Sequence, residues 1–209
     1  MSSEASNDDQ FRSRRDEYAE VTRRAVVAAA RELFGEKGYS STTVQEISRR
    51  ARVSPATVYA QCGGKQGLLE SLMDAWTAGA LVREIIDSCA MARTGAERLQ
   101  VLADGYLKIF ETSGDIIRIV TDAAATSPVA AEFLGTANTR HHQALLEIVA
   151  QIRESGDLIE GLSDEDAANI IFFHFRAEQF MLAAYGFGWG EARTRDWLRE
   201  RIESAILKR

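Results

Sequence analysis

Cysteine and proline are both scarce in these 209 residues. Cys62 and Cys89 are the whole cysteine complement, too few for a disulfide framework, and no CxxC pair suggests zinc. Such usage fits a reducing, intracellular setting. Pro55 and Pro128 are the only prolines, so long helices meet few obstacles. No apolar run approaches the roughly 18 residues of a membrane span. The opening MSSEASNDDQ is acidic and polar and does not read as a secretory signal. No repeat or low-complexity segment is found. The composition, 45 % apolar and 27 % charged, is globular and excludes disorder of the whole chain. A cytoplasmic protein of one large domain or two small ones is expected.

The net charge of −6 argues against a nucleic-acid partner until the chain is divided. Residues 10–65 hold 11 Lys/Arg against 6 Asp/Glu, a surplus of +5, and the rest carries −11. The split points to a basic module on an acidic body, although charge runs are more often just solvated faces.

Apolar spacing predicts an all-α chain of about nine helices. Residues 1–16 lack periodicity and read as a disordered tail. Val26, Ala29, Ala30, Leu33 and Phe34 stripe a helix over Glu17–Lys37 that Gly38 stops. Thr43 and Glu46 form a capping box for a short helix that packs Val44, Ile47 and Ala51 inward. Ser54 as N-cap and Pro55 at the first helical position open a second short helix ending near Gln61. Gly63-Gly64 break the chain, and one long helix is expected from Lys65 to Ala92. Stripes follow over Leu99–Phe110, Ile116–Ala124 and Val129–Ser155. Asp164–Phe187 is apolar nearly all round and must be buried on two sides. Glu191–Lys208 ends the series.

Two short capped helices joined by a tight turn and braced by a longer one make a helix-turn-helix, or else any helical hairpin of a bundle. The residue strings separate the two. AARELFGEKGYSSTTVQEISRRARVSPATVY and GGKQGLLESLMDAW carry in order an ELF, a GY, two threonines, V-x-E-I, VS, T-V-Y and a K-x-x-L helix start. From Thr22 to Trp76 the chain resembles the DNA-binding domain of the tetracycline-repressor (TetR) family. The likeness covers about a quarter of the chain.

The resemblance implies a helix-turn-helix domain over 17–64 (family domain about 20–80, motif about 43–62) and a ligand-binding and dimerisation domain over 65–209. It implies that Thr43 caps its helix and meets phosphate. Ser54, Pro55, Ala56 and Thr57 form the groove-facing start of the recognition helix, and Tyr59 and Lys65 meet the DNA backbone. Hydroxyls and N–H groups at helix starts suit phosphate oxygens. The chain departs from the family in three places. Gln61 replaces an aromatic but can still donate to phosphate. Cys62 replaces a large core aromatic and is read as structural. Arg52 replaces the common turn glycine and adds charge beside the groove. Arg49 and Arg50 stand as DNA contacts or as a solvated face. Arg12, Arg14 and Arg15 stand as a minor-groove arm or, preferably, a solvated one.

The same resemblance implies a homodimer on a palindromic double-stranded DNA operator, with Phe173, Phe180, Trp197, Leu198 and Ile202 at the interface. It also implies a chamber for a small-molecule effector, faced by Trp76, Tyr106, Phe110, Asp122, His141 and His174. His141 reads as a core histidine or a ligand contact. His141-His142 and the His174/Glu178 pair lack a third ligand, so no metal and no cofactor are expected. No nucleophile–base pair or phosphate loop marks an enzyme. The expected activity is a cytoplasmic, nucleoid-associated repressor released by its effector. An activator or a protein-controlled regulator is the alternative, and a helical enzyme is the more distant one.

Overall fold

A computed structural model describes residues 14–208. Ten helices follow one another among these residues. They are α1 Arg14–Lys37, α2 Val44–Arg50, α3 Pro55–Cys62, α4 Gly64–Thr77, α5 Ala80–Met91, α6 Gly95–Ala124, α7 Pro128–Glu154, α8 Asp164–His174, α9 Ala177–Met181 and α10 Glu191–Ile206. The α9 helix runs on as one π turn over Leu182–Gly186. The only β feature among these residues is an isolated bridge between Leu158 and Leu207. No helix among the described residues is long and apolar enough to cross a membrane. The expected tail is helical from Arg14 onward. The rest of it, Arg12 included, lies outside the described residues, as do the side chains of Arg14 and Arg15.

Local chemistry sets the boundaries. The amide of Glu46 donates to Thr43 Oγ1 at 3.3 Å, and the Thr43 amide donates back to Glu46 Oε2 at 2.9 Å. The Thr57 amide donates to Ser54 Oγ at 3.0 Å. A second capping box, Thr94 with Glu97, opens α6. The expected helix Lys65–Ala92 is instead two. It breaks at Ala78-Gly79, where a Cβ on Gly79 would stand 2.6 Å from the Ala75 carbonyl oxygen. Conversely, the separate stripes over 99–110 and 116–124 belong to one 30-residue helix. Arg31 of α1 holds its middle, donating to the Thr112 carbonyl at 3.1 Å and to Asp115 at 2.6 Å. The expected helix Asp164–Phe187 bends at Phe175-Arg176 into α8 and α9.

Two apolar cores result. The first gathers Val26, Phe34, Ile47, Val58, Leu68 and Leu72 from α1–α4, together with Ile116, Ile119, Val120 and Ala123 from the end of α6 and Ala130 and Ala137 from α7. The second gathers Leu99, Leu102 and Ala103 from the start of α6 with the end of α7 and with α8–α10. Both α6 and α7 therefore run through both cores, and the small amino-terminal domain is not an independent bead.

Phe180, expected at an interface, is 1 % exposed and stacks on Phe110 at 4.3 Å. Its replacement by alanine should destabilise the fold by about 3–5 kcal/mol, the usual range for a buried Phe cavity. Urea unfolding followed by circular dichroism checks this, and a loss under 1 kcal/mol (about one fifth of the upper figure) would place the ring outside the core.

Candidate nucleic-acid interface and internal cavity

The corner between α2 and α3 is closed by two amides. Ala51 donates to the Ile47 carbonyl at 2.9 Å and Val53 to the Ser48 carbonyl at 2.9 Å. Arg52 between them has φ 57°, the only non-glycine residue with positive φ among those described. This explains why a glycine is at home there, since a Cβ in the left-handed region costs about 1–2 kcal/mol. Val58 and Cys62 bury one face of α3, while Ser54, Pro55, Ala56 and Tyr59 stand exposed with Thr43 and Arg52. Thr57 and Gln61 are half-buried. The Thr57 hydroxyl bonds that of Ser54 at 2.8 Å. Tyr59 is 60 % exposed and its ring lies over Gly64, where a Cβ would come within 2.7 Å. Gly64 thus supplies a shelf for the tyrosine ring.

The basic groups divide. Arg50 turns back to α1, donating to Glu32 at 2.8 Å and Glu36 at 3.0 Å, and these carboxylates raise its pKa. Lys37 pairs with Glu46, whose pKa falls to about 2 through that contact and the cap. Arg49 and Arg52 are exposed and join no ion pair among the described residues. Lys65 is occupied: its ammonium donates to the carbonyls of Tyr39 at 2.8 Å, Thr42 at 3.0 Å and Ser40 at 3.3 Å, and sits 4.4 Å from the centre of the Tyr39 ring. Its sequence signal, a lysine at a helix start, says nothing of this clamp. Both cysteines are buried, which pushes the Cys62 thiol up and the Cys89 thiol to about 11, so neither is primed as a nucleophile.

Behind this domain lies a cavity of about 230 Å³ walled by α4–α9. Trp76, Tyr106, Phe110 and His141 line it. Asp122 does not: it is exposed, and its neighbour Thr121 faces in. His174 does not either: its Nδ1 donates to the Ile170 carbonyl at 2.7 Å, while Phe172 and Phe175 take the inner positions. The three histidines have separate partners, since His142 bonds Asn169 at 3.0 Å and His141 Nε2 bonds the Tyr106 hydroxyl. Burial, with His142 and Arg176 nearby, lowers the His141 pKa to about 4, and burial raises that of Tyr106.

On the far side, Leu198 and Ile202 are buried in the second core like Phe180 and do not face outward. The outward apolar residues are Phe173, Met181, Leu182, Tyr185, Phe187 and Trp197, between 41 % and 60 % exposed.

A helix-turn-helix domain whose core continues into a cavity-bearing helical body is the class this fold defines. Residues 26–72 match the family described as bacterial regulatory proteins, tetR family. Over 52 residues it is 42 % identical to YvkB of Bacillus subtilis, an uncharacterized HTH-type transcriptional regulator, covering 25 % of this chain and 28 % of that one. Over 135 residues it is 27 % identical to the HTH-type transcriptional regulator UidR of Escherichia coli, covering 64 % and 65 %. The matches thus span less than two thirds of these relatives' lengths. SmeT, the repressor of a Stenotrophomonas maltophilia multidrug efflux pump, solved with triclosan, superposes with a TM-score of 0.74 at 18 % identity over 90 % of this chain and 92 % of its own. That likeness is one of fold.

Replacing Arg52 with glycine should leave a domain about 1 kcal/mol more stable than replacing it with alanine, because only glycine relieves the left-handed strain. Thermal melts of the two variants check this, and an alanine variant at least as stable would contradict the strain.

Proposed function

We propose that this chain is a homodimeric, cytoplasmic DNA-binding repressor that a small-molecule effector releases from a palindromic operator. The observation that carries this reading is the exposed amino-terminal end of α3, held at a rigid corner, on a domain of tetR family sequence. Ser54, Pro55, Ala56 and Thr57 enter the major groove. Thymine methyls and the Thr57 hydroxyl supply modest direct readout. Thr43, Arg52, Tyr59 and Gln61 contact the backbone, as does Arg49. Lys65 acts first by fixing the loop that carries Thr43.

One short helix reads too little sequence alone, and a second copy supplies the other half-site. The exposed apolar side chains of the α8–α10 region support the pairing, because such side chains gathered on one face mark interfaces. Phe187, Trp189 and Trp197 form a linked aromatic chain there, with ring centres 5.7 and 5.4 Å apart. The cavity favours control by a small molecule over control by a protein partner. SmeT holding triclosan at a similar fold agrees with this. Trp76, on the last turn of α4, touches the cavity, and Lys65, on the first turn of the same helix, clamps the reader. An effector that prefers a different tilt of α4 lowers DNA affinity by that preference.

Selection of duplexes from a random pool by the full chain tests the reading. The expected product is a palindrome, bound by a dimer. Thr57→Ala should weaken it roughly ten-fold and narrow its margin over unselected DNA. Leu182→Asp should yield monomers that no longer bind it. A pool that enriches no sequence would contradict the proposal.

A further inference from the structure

The cavity has a chemistry of its own, and the ligand class inferred from it rests on the effector-controlled reading. Aliphatic side chains from α5–α7 form much of its wall, and the rings of Trp76, Tyr106, Phe110, His141, Phe172 and Phe175 cluster within it. The Tyr106 ring stacks on Phe175 at 4.3 Å and 19°, and Phe172 lies 5.0 Å from the His141 ring. Trp76 closes the side next to α4. Such faces favour a planar partner in offset or edge-on contact.

The charged side chains that line it, Arg140, Arg176 and Glu178, each have a partner of opposite charge. Arg176 donates to both carboxylate oxygens of Glu178, at 2.9 and 3.1 Å. Arg140 is 58 % exposed and points to Asp74 at 3.7 Å. A carboxylate or ammonium seated among the rings would lose its water and meet only countercharges that already have partners, a penalty that a cation–π contact does not offset. The inner polar groups are neutral instead. Burial holds His141 as imidazole and Tyr106 as phenol at pH 7. Their mutual hydrogen bond uses one nitrogen of His141, and Nδ1 has no partner among the described residues. The pair therefore retains hydrogen-bonding capacity beside the rings, in a wall whose other neutral polar groups are Thr77, Thr121 and Asn138.

Size narrows the class further. An apolar cavity of about 150 Å³ holds a benzene ring, and this one is about 230 Å³. We propose that the effector is an uncharged aromatic compound, on the order of ten non-hydrogen atoms, with one polar group that hydrogen-bonds the Tyr106–His141 pair.

Three probes of one shape test this on the full chain by calorimetry: 2-naphthol, 2-naphthoate and 2-naphthylmethylammonium. 2-Naphthol should bind at least about ten-fold more tightly than either ion. Tyr106→Phe and His141→Leu should each weaken 2-naphthol by about five- to ten-fold, and naphthalene by less. Equal or tighter binding of either ion, no binding of 2-naphthol, or no change in both variants would overturn the assignment. DNA binding of the ligand-free chain is read in parallel. Sequence-selective binding without 2-naphthol binding overturns only the ligand class, whereas absence of selective binding overturns the regulator reading beneath it.

Discussion

Everything about the reader depends on the corner between α2 and α3. Arg52 takes a left-handed conformation there, and the Val53 amide closes onto the Ser48 carbonyl. The chain can then turn within three residues and start α3 at once on the Ser54 cap. Val53 packs against the first core and Val58 is buried in it, so α3 cannot roll about its axis without exposing apolar surface. Its Pro55 end is left outside by the same packing. A strained turn persists where surrounding structure fixes it, and two caps and one core do so here.

The corner is tied to the rest of the molecule at two places. The Lys65 ammonium gathers three carbonyls from the loop before α2, so the first turn of α4 is bonded to the segment that leads into the cap of α2. The last turns of α6 pack inside the reader's core, and its earlier residues Leu102, Tyr106 and Phe110 wall the cavity. Arg31 and Asp115 pin the same helix to α1. Under the proposed mechanism a displacement at the cavity is passed to the α2–α3 corner through these two helices, α4 and α6. Packed interiors pass on such displacements because they are dense and not softly deformable.

Much of the reader was legible because its signals are local. Thr43/Glu46, Ser54-Pro55 and Gly63-Gly64 act within a few residues, and the structure places a cap or a turn at each. The body was less legible because its constraints are distant. The polar run Glu111–Asp115 reads as a gap between helices, yet Arg31, some 80 residues earlier, holds it helical. The apolar stripe from Leu72 to Ile86 continues across the break at Gly79, so periodicity alone conceals the break. Asp122 and His174 each miss the cavity by one residue, which on a helix is a rotation of about 100°. In Asp164–Phe187 apolar residues fall on nearly every side of the helix. Composition there gives no phase, and Phe180 could not be told from Phe173, although one is buried and the other 56 % exposed.

The central claim, that the Pro55 end of α3 enters the grooves of DNA twice through a symmetric pair, is open to one direct measurement. Cys62 and Cys89 are buried, so an exposed thiol introduced by Ala56→Cys can be labelled selectively with an iron–EDTA cleavage reagent. On a selected duplex, strand scission should fall in two clusters about 34 Å apart along the axis, one per half-site. Scission confined to a single cluster, or none at all from a chain that still binds the duplex, would contradict the account.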